Sequence, residues 1–384
     1  MTRLLAFLSI YFLVYGGMHF YLFLKIRKGL VLGKGESLSL LLFLLLMVIA
    51  PITVRQLEGT DLQTMVTPLA FTAFLWMGAA FLFFSASLLL DIYHAVLALV
   101  GRFSIDRPVA WRLSPATRVW VAAGFALSAT LYGLFEADDI RLETVSITSQ
   151  KVPQSAGTVR LVQLTDVHLG ALVGERKLAK IMKMVKSLNP DMLISTGDLL
   201  DSSTDNVTGL AAGFAGLNPR LGMYAVNGNH EFFGGVDKAI KFMTEAGFTV
   251  LRGETVSIDD WLTIAGVDDL HAGWSNGVVK IDEVTVLSNT PADHFRVLLK
   301  HQPRVMDDAI GLFDLQISGH VHQGQIFPFR LLQYLVYPVS MGLSPLGKGS
   351  RLYISRGTGT WGPPIRFLAP PEITLFEISA ATAN

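Results

Sequence analysis

The sequence predicts two architectures in one chain: an all-α apolar region over residues 1–137, then a layered α/β sandwich with mixed sheets over residues 159–384. Three observations carry the prediction. Apolar residues make up 51% and charged residues 16% of the 384, and the mean hydropathy is +0.45, too apolar for an ordinary soluble chain. Nearly all of the apolar excess lies before Glu136. Beyond that point, short apolar runs of strand length alternate with segments of helical spacing.

In the first region, apolar runs at 4–24, 38–54, 68–90 and 119–135 approach the ~20 residues a helix needs to cross a bilayer, the second and fourth at the short end. The runs lack polar faces, which separates them from the helices of a soluble bundle. Only Arg3 precedes the first run and no small-residue cleavage site follows it, so it reads as a span and not as a cleaved signal peptide. Loop charge gives an orientation. Lys25, Arg27, Lys28 and Lys34 fall between the first two runs, and Arg102, Arg107, Arg112 and Arg118 between the last two. The middle connection has Arg55 beside Glu58 and Asp61, and the last run leads into Glu136, Asp138, Asp139 and Arg141. Positive loops stay cytoplasmic, so a multi-pass protein with both termini and the C-terminal domain outside the cytoplasm is expected. His19 and His94, in or beside the runs, read as helix-interface or headgroup histidines.

Residues 138–158 turn polar and β-prone, with Pro153, Ser155 and Gly157 as punctuation, and read as a linker of a strand and a loop. After it, strands are expected at 159–164, 192–196, 222–226, 262–265, 296–300, 315–318 and 351–355, and helices at 175–188, 206–217 and 236–246. The chain has no cysteine, which excludes disulfides, thiolate metal sites and cysteine nucleophiles. Its formal net charge is +0, so no nucleic-acid binding is expected.

Metal-capable residues recur directly after the apolar strands. They are Asp166 and His168, then Asp198 and Asp201, then Asn229, His230 and Glu231, then His301, and last His320 and His322. Strand ends are where open α/β sheets place their sites. In Asp166-x-His168 and His320-x-His322, alternation along extended backbone lets both side chains point the same way. Carboxylate, imidazole and amide oxygen without sulfur suit Mn, Fe, Zn or Co, and the set is too rich in histidine for calcium. Each block alone is weak; their order along the chain is specific.

Together, Thr165-Asp166-Val167-His168, Gly197-Asp198, Asn227-Gly228-Asn229-His230-Glu231, Lys300-His301 and Ser318-Gly319-His320-Val321-His322 resemble the calcineurin-like metallophosphoesterase superfamily. The tail Ser355-Arg356-Gly357-Thr358-Gly359, with Pro363-Pro364-Ile365-Arg366-Phe367, is similar to its YkuE/YaeI-like branch, which includes UDP-2,3-diacylglucosamine pyrophosphatases. Several spans ahead of such a domain also resemble the transmembrane-protein-with-metallophosphoesterase-domain type. The resemblance implies a four-layer α/β/β/α sandwich and two divalent metal ions. Asp166, His168 and His322 would bind one metal, and Asn229, His301 and His320 the other. Asp198 would bridge them. His230 would sit at the leaving-group oxygen as proton or hydrogen-bond donor. A water activated by the two metals would attack phosphorus in line.

Other residues carry open alternatives. Asp201 either orients a ligand or caps a helix. Glu231 reads as a solvated or supporting carboxylate, not a ligand. Asp268, Asp269 and His271 read as a loop with an incidental histidine, ahead of a third metal site. His294 carries no signal. Arg356 either meets substrate phosphate or forms a structural ion pair. The sequon Asn206-Val207-Thr208 reads as chance. The apolar stretch 326–339 is either a core segment or an interfacial one. The expected function is a membrane-anchored phosphoesterase for phosphodiester or pyrophosphate bonds, on a lipid-linked substrate such as a lipid pyrophosphate, with the lipid bilayer as partner. The alternatives are a phosphoesterase for soluble nucleotides or phosphoesters, and a non-catalytic membrane signalling module. The last would need intramembrane charges, which the runs almost lack.

Overall fold

The computed structural model describes every residue except 1, 59, 61, 104–110, 202–206, 208, 275–281, 339 and 382–384. Asp61, Arg107, Asn206, Thr208 and Val339, singled out above, lie outside the described residues. The chain divides into two units, Met1–Phe135 with Gly362–Phe367, and Glu136–Trp361 with Leu368–Asn384.

The first unit is helical. Helix α1 (Thr2–Tyr11) passes through a wide turn at Phe12–Gly16 into α2 (Gly17–Gly29), followed by α3 (Lys34–Leu57), α4 (Gln63–Phe103) and α5 (Pro115–Asp138). Leu5–Gly29, Lys34–Leu57, Thr64–Arg102 and Pro115–Asp138 are long and apolar enough to cross a membrane. Each outruns the range expected from apolar composition, because its polar ends are helical too. Lys25, Arg27 and Lys28 stand on the end of α2, not in a loop. Small side chains such as Ala73, Ala80, Ala122 and Ala126 are buried while Leu13, Leu46, Leu89 and Phe135 are exposed. Small residues let apolar helices approach closely, and an outward apolar surface suits lipid. His19 donates through Nδ1 to Tyr15 O (2.9 Å) and accepts from Trp76 Nε1 (2.9 Å), the expected helix-interface role. His94 Nε2 accepts from Leu113 N (3.0 Å). The segment Gly362–Phe367 is tied here as well, with Arg366 N donating to Gly133 O (3.0 Å) and the Phe367 ring against Phe125 and Tyr132.

The second unit contains two six-stranded mixed sheets. Its strands are β1 (Arg141–Ser149), β2 (Val159–Leu164), β3 (Met192–Ser195), β4 (Met223–Ala225), β5 (Thr249–Val250), β6 (Glu254–Ile258), β7 (Leu262–Gly266), β8 (Phe295–Leu299), β9 (Leu315–Ser318), β10 (Gly342–Gly347), β11 (Ser350–Ile354) and β12 (Glu372–Ala380). One sheet has the order β1-β12-β2-β3-β4-β5, the other β10-β11-β9-β8-β7-β6. Helices α6 (Glu175–Ser187), α7 (Asn229–Gly234), α8 (Val236–Glu245), α9 (Glu283–Ser288) and α10 (Phe329–Val336) complete the unit.

Side-chain alternation makes the layers. Leu161, Ile194 and Val226 face Ile264, Val297 and Ile317 of the other sheet in one core. Their neighbours Val162 and Leu193 face Ile181, Val185 and Phe242 of α6 and α8. On the far side, Val286 and Leu287 of α9 cover Ala265 and Leu298. This is the expected α/β/β/α sandwich. The first half of 138–158, read from the sequence as a strand followed by a loop, is β1, whose residues pair in parallel with β12 from Arg141–Glu372 to Ser149–Ala380. Within 206–217 the described residues form only a short tight turn, Leu210–Phe214, not a full helix.

Candidate metal centre

Strands β2, β3 and β4 run parallel in one sheet, and β8 and β9 run parallel in the other. Parallel strands place all their C-terminal loops at one end of a sheet. Asp166 and His168 follow β2, Asp198 follows β3, and Asn229 opens α7 after β4. His301 follows β8, and His320 and His322 follow β9. Every ligand expected from the sequence is brought into one cluster. Asp166, His168 and His322 present donor atoms within 4.8 Å of one another, as do Asp198, His301 and His320, and as do His168, Asp198 and His230. Asp198 therefore belongs to groups on both sides of the cluster.

The donors face one another. His322 Nε2 is 3.2 Å from Asp166 Oδ1 and 3.1 Å from His168 Nε2. His301 Nε2 is 3.2 Å from Asp198 Oδ2, 3.1 Å from Asn229 Oδ1 and 3.2 Å from His320 Nδ1. Bonds of ~2.1 Å to a common cation put neighbouring ligand atoms ~3.0–3.4 Å apart, so these residues fit a metal without rearrangement. Electrostatics agree. Burial and the charge of neighbouring His230 take His168 down to about 3, and burial with the charge of His301 takes His320 down to about 4; both imidazoles stay neutral, as ligation requires. Burial would raise Asp166 and Asp198, but the imidazoles beside them hold both below the ordinary carboxylate range. Burial opposes charge on His301 too, yet Asp198 and its neighbours raise it well above the usual value. Asp166 and Asp198 thus keep their negative charge while buried, and His301 carries a positive charge that a bound divalent cation would replace.

The backbone is bent to make this cluster. Asp166 (φ 53°), His168 (φ 54°), Asp198 (φ 52°), His320 (φ 74°) and His322 (φ 47°) all occupy the left-handed region. That region costs a non-glycine residue on the order of 1 kcal/mol or more, and such outliers gather at functional sites. Two glycines are required by close approach. A Cβ on Gly228 would overlap the Asp198 carboxylate, and a Cβ on Gly319 would overlap Asp166 and Thr165.

Supporting residues lie around the ligands. Glu231 is buried and accepts from Asp198 N (2.9 Å), Leu200 N (3.0 Å) and Gly228 N (2.7 Å), so it is the supporting carboxylate and not the solvated one. Burial and the charge of Asp198 outweigh those bonds and push it up to about 7. Asp201 Oδ1 is 3.0 Å from His230 Nδ1, and burial of His230 is outweighed by Asp198 and Asp201, which lift it to about 9. Asp268 and Asp269 are loop anchors. Asp268 accepts from Asn227 Nδ2 (2.8 Å) and Arg252, and Asp269 from Gln302 Nε2 and His271. His294 is away from the cluster, bonded to Thr263 Oγ1 (2.9 Å). Arg356 forms ion pairs with Glu143 and Glu372, which decides for the structural role. Nothing in the sequence ties Tyr337 to the site, yet its OH donates to Gln302 Oε1 (2.9 Å) and its ring lies against His320. The tail motif marked in the sequence meets the site here, with Gly359 N donating to Asp166 O (2.9 Å) and Thr358 N to Thr165 O (2.8 Å).

A buried nitrogen and oxygen ligand set at the ends of parallel strands in a two-sheet sandwich defines a metal-dependent phosphoester hydrolase. The chain belongs to the calcineurin-like phosphoesterase family, whose model matches residues 159–324. An uncharacterized metallophosphoesterase of Aquifex aeolicus is 37% identical over 249 residues, covering 64% of this chain and 95% of the relative. The uncharacterized metallophosphoesterase YkuE of Bacillus subtilis is 31% identical over 281 residues, covering 68% and 94%. A protein of Danio rerio named transmembrane protein with metallophosphoesterase domain is 33% identical over 266 residues, covering 65% of this chain and 60% of the relative. The chain thus spans less than two thirds of that last relative.

Proposed function

We propose that the protein is a membrane-anchored, dinuclear phosphoesterase that cleaves phosphodiester or pyrophosphate bonds of a lipid-linked substrate. The observation that carries the reading is the position of Asp198, shared between the ligand groups on either side of it. Asp166, His168 and His322 would hold one cation and Asn229, His301 and His320 the other, with Asp198 shared between them. Bound divalent cations supply an activated water and neutralise charge on the phosphoryl oxygens. Asp201 orients the ring of His230 through Nδ1, and His230 would give a proton or hydrogen bond to the leaving-group oxygen. Glu231 holds the loops of Asp198 and Asn229 in register through three backbone N–H groups.

The catalytic domain lies outside the cytoplasm in this reading. Lys25 near the end of α2 and Arg118 near the start of α5 both pair with Asp91, which supports the first and third connections lying on one, positive side. The test of activity is hydrolysis of a soluble diester and a lipid pyrophosphate by the full chain in detergent, loaded with Mn, Fe, Zn or Co. Asp198→Asn lowers turnover on both to near background, and chelation does the same. Full activity of Asp198→Asn would remove the bridging role.

A further inference from the structure

Helix α10 leaves the metal centre directly after His322 and is held at both ends by the site's own loops. At its start a side chain on Gly324 would collide with the Arg330 backbone. After its end, Tyr337 bonds Gln302 and packs on His320. Between these anchors no residue of the helix is buried. Leu331 is 61% exposed, Leu332 57%, Leu335 79% and Val336 63%. At about 100° per residue, these four and Phe329 fill one arc of ~160°. Arg330, Gln333 and Tyr334 take the opposite side, and Gln333 is the least exposed residue of the helix. A helix on the surface of a soluble domain buries its apolar face against the core. This one leaves its whole apolar arc exposed, and only Gln333 is partly covered.

We propose that α10 is a second membrane contact, an interfacial helix that seats the rim of the metal centre in the headgroup region of the bilayer. The proposal rests on the phosphoesterase reading of that centre and adds where its substrate is met. A lipid surface is the occupant for three reasons. The chain carries four helices of bilayer length, so a bilayer is always within the reach of this domain. The side opposite the apolar arc carries Arg330, Gln333 and Tyr334, the polar face that an interfacial helix keeps toward headgroups and water. The apolar surface also continues at the rim, where Phe233 and Trp361 are exposed with their rings against His230. A phosphoester carried by a lipid headgroup would reach the site without leaving the membrane.

The natural absence of cysteine makes the test direct. Leu331→Cys and Leu335→Cys, each carrying an environment-sensitive fluorophore, are reconstituted as full chains in vesicles of phosphatidylethanolamine and phosphatidylglycerol. Lys241→Cys on the solvent face of α8 is the control. The expected result is quenching of the labels at 331 and 335 by doxyl lipids and not by iodide, with the reverse at 241. Quenching by iodide at all three positions overturns the proposal. So does protection from both quenchers at 331 and 335, which would mean a protein surface covers the helix. Lipid quenching at 241 as well would show unspecific adhesion and overturn it too. No turnover enters the readout, so an inactive protein with lipid-quenched labels at 331 and 335 alone would keep the docking and sink the phosphoesterase reading.

Discussion

His230 and Asp201 make the sharpest test at the scale of single residues. The 3.0 Å contact between Nδ1 and Oδ1 orients the ring and favours its charged form. Removing the imidazole with His230→Ala lowers kcat by ~10²–10⁴, the range of general acid–base catalysis. Asp201→Asn lowers it by about 10–100-fold, as loss of a residue that orients a functional group does. If Asp201 acts through His230, the double variant is no slower than His230→Ala. Losses that multiply would place Asp201 in a separate role. Glu231 illustrates the same scale from the structural side. It touches no ligand atom of the centre except through backbone N–H groups, yet it is fully buried and ties two ligand loops together. Leaving those donors unpaired costs ~1–3 kcal/mol each.

At the scale of elements, Arg356 joins β1 to β12 through Glu143 and Glu372. Arg356→Ala lowers stability by about 1.5–3 kcal/mol, the worth of hydrogen bonds to charged groups, and leaves KM for a soluble diester unchanged. Thermal unfolding with parallel kinetics checks this; a raised KM at unchanged Tm would return Arg356 to the substrate. The strands β2, β3, β8 and β9 were legible because each is an apolar run followed by metal-capable residues. The clustering of those residues was legible because metal chemistry limits the residue types that can serve. Strand β1 falls within the stretch read as a strand and a loop, but its parallel pairing with β12, more than 220 residues away, has no local signal. Helix α10 was ambiguous for the opposite reason. Its apolar content fits a core segment, and only the fold reveals that the apolar side points outward. Contacts between distant segments, such as Tyr337 on His320 or Gly359 on Asp166, have no local signature at all.

At the scale of the whole molecule, a helical unit of bilayer-length helices and a hydrolase domain share one chain. A periplasmic-type phosphatase reporter fused after residue 384 is active in the proposed orientation, and a fluorophore that matures only in cytoplasm stays dark; the reverse would place the domain inside. The central claim, however, is that the ligand set holds two cations joined by Asp198. Elemental analysis of the full chain, purified in detergent and loaded with excess metal, measures this without any knowledge of the substrate. The account predicts two metal ions per chain for the wild type and for His230→Ala, and a lower content for Asp198→Asn. One metal per chain in the fully loaded wild type would contradict it.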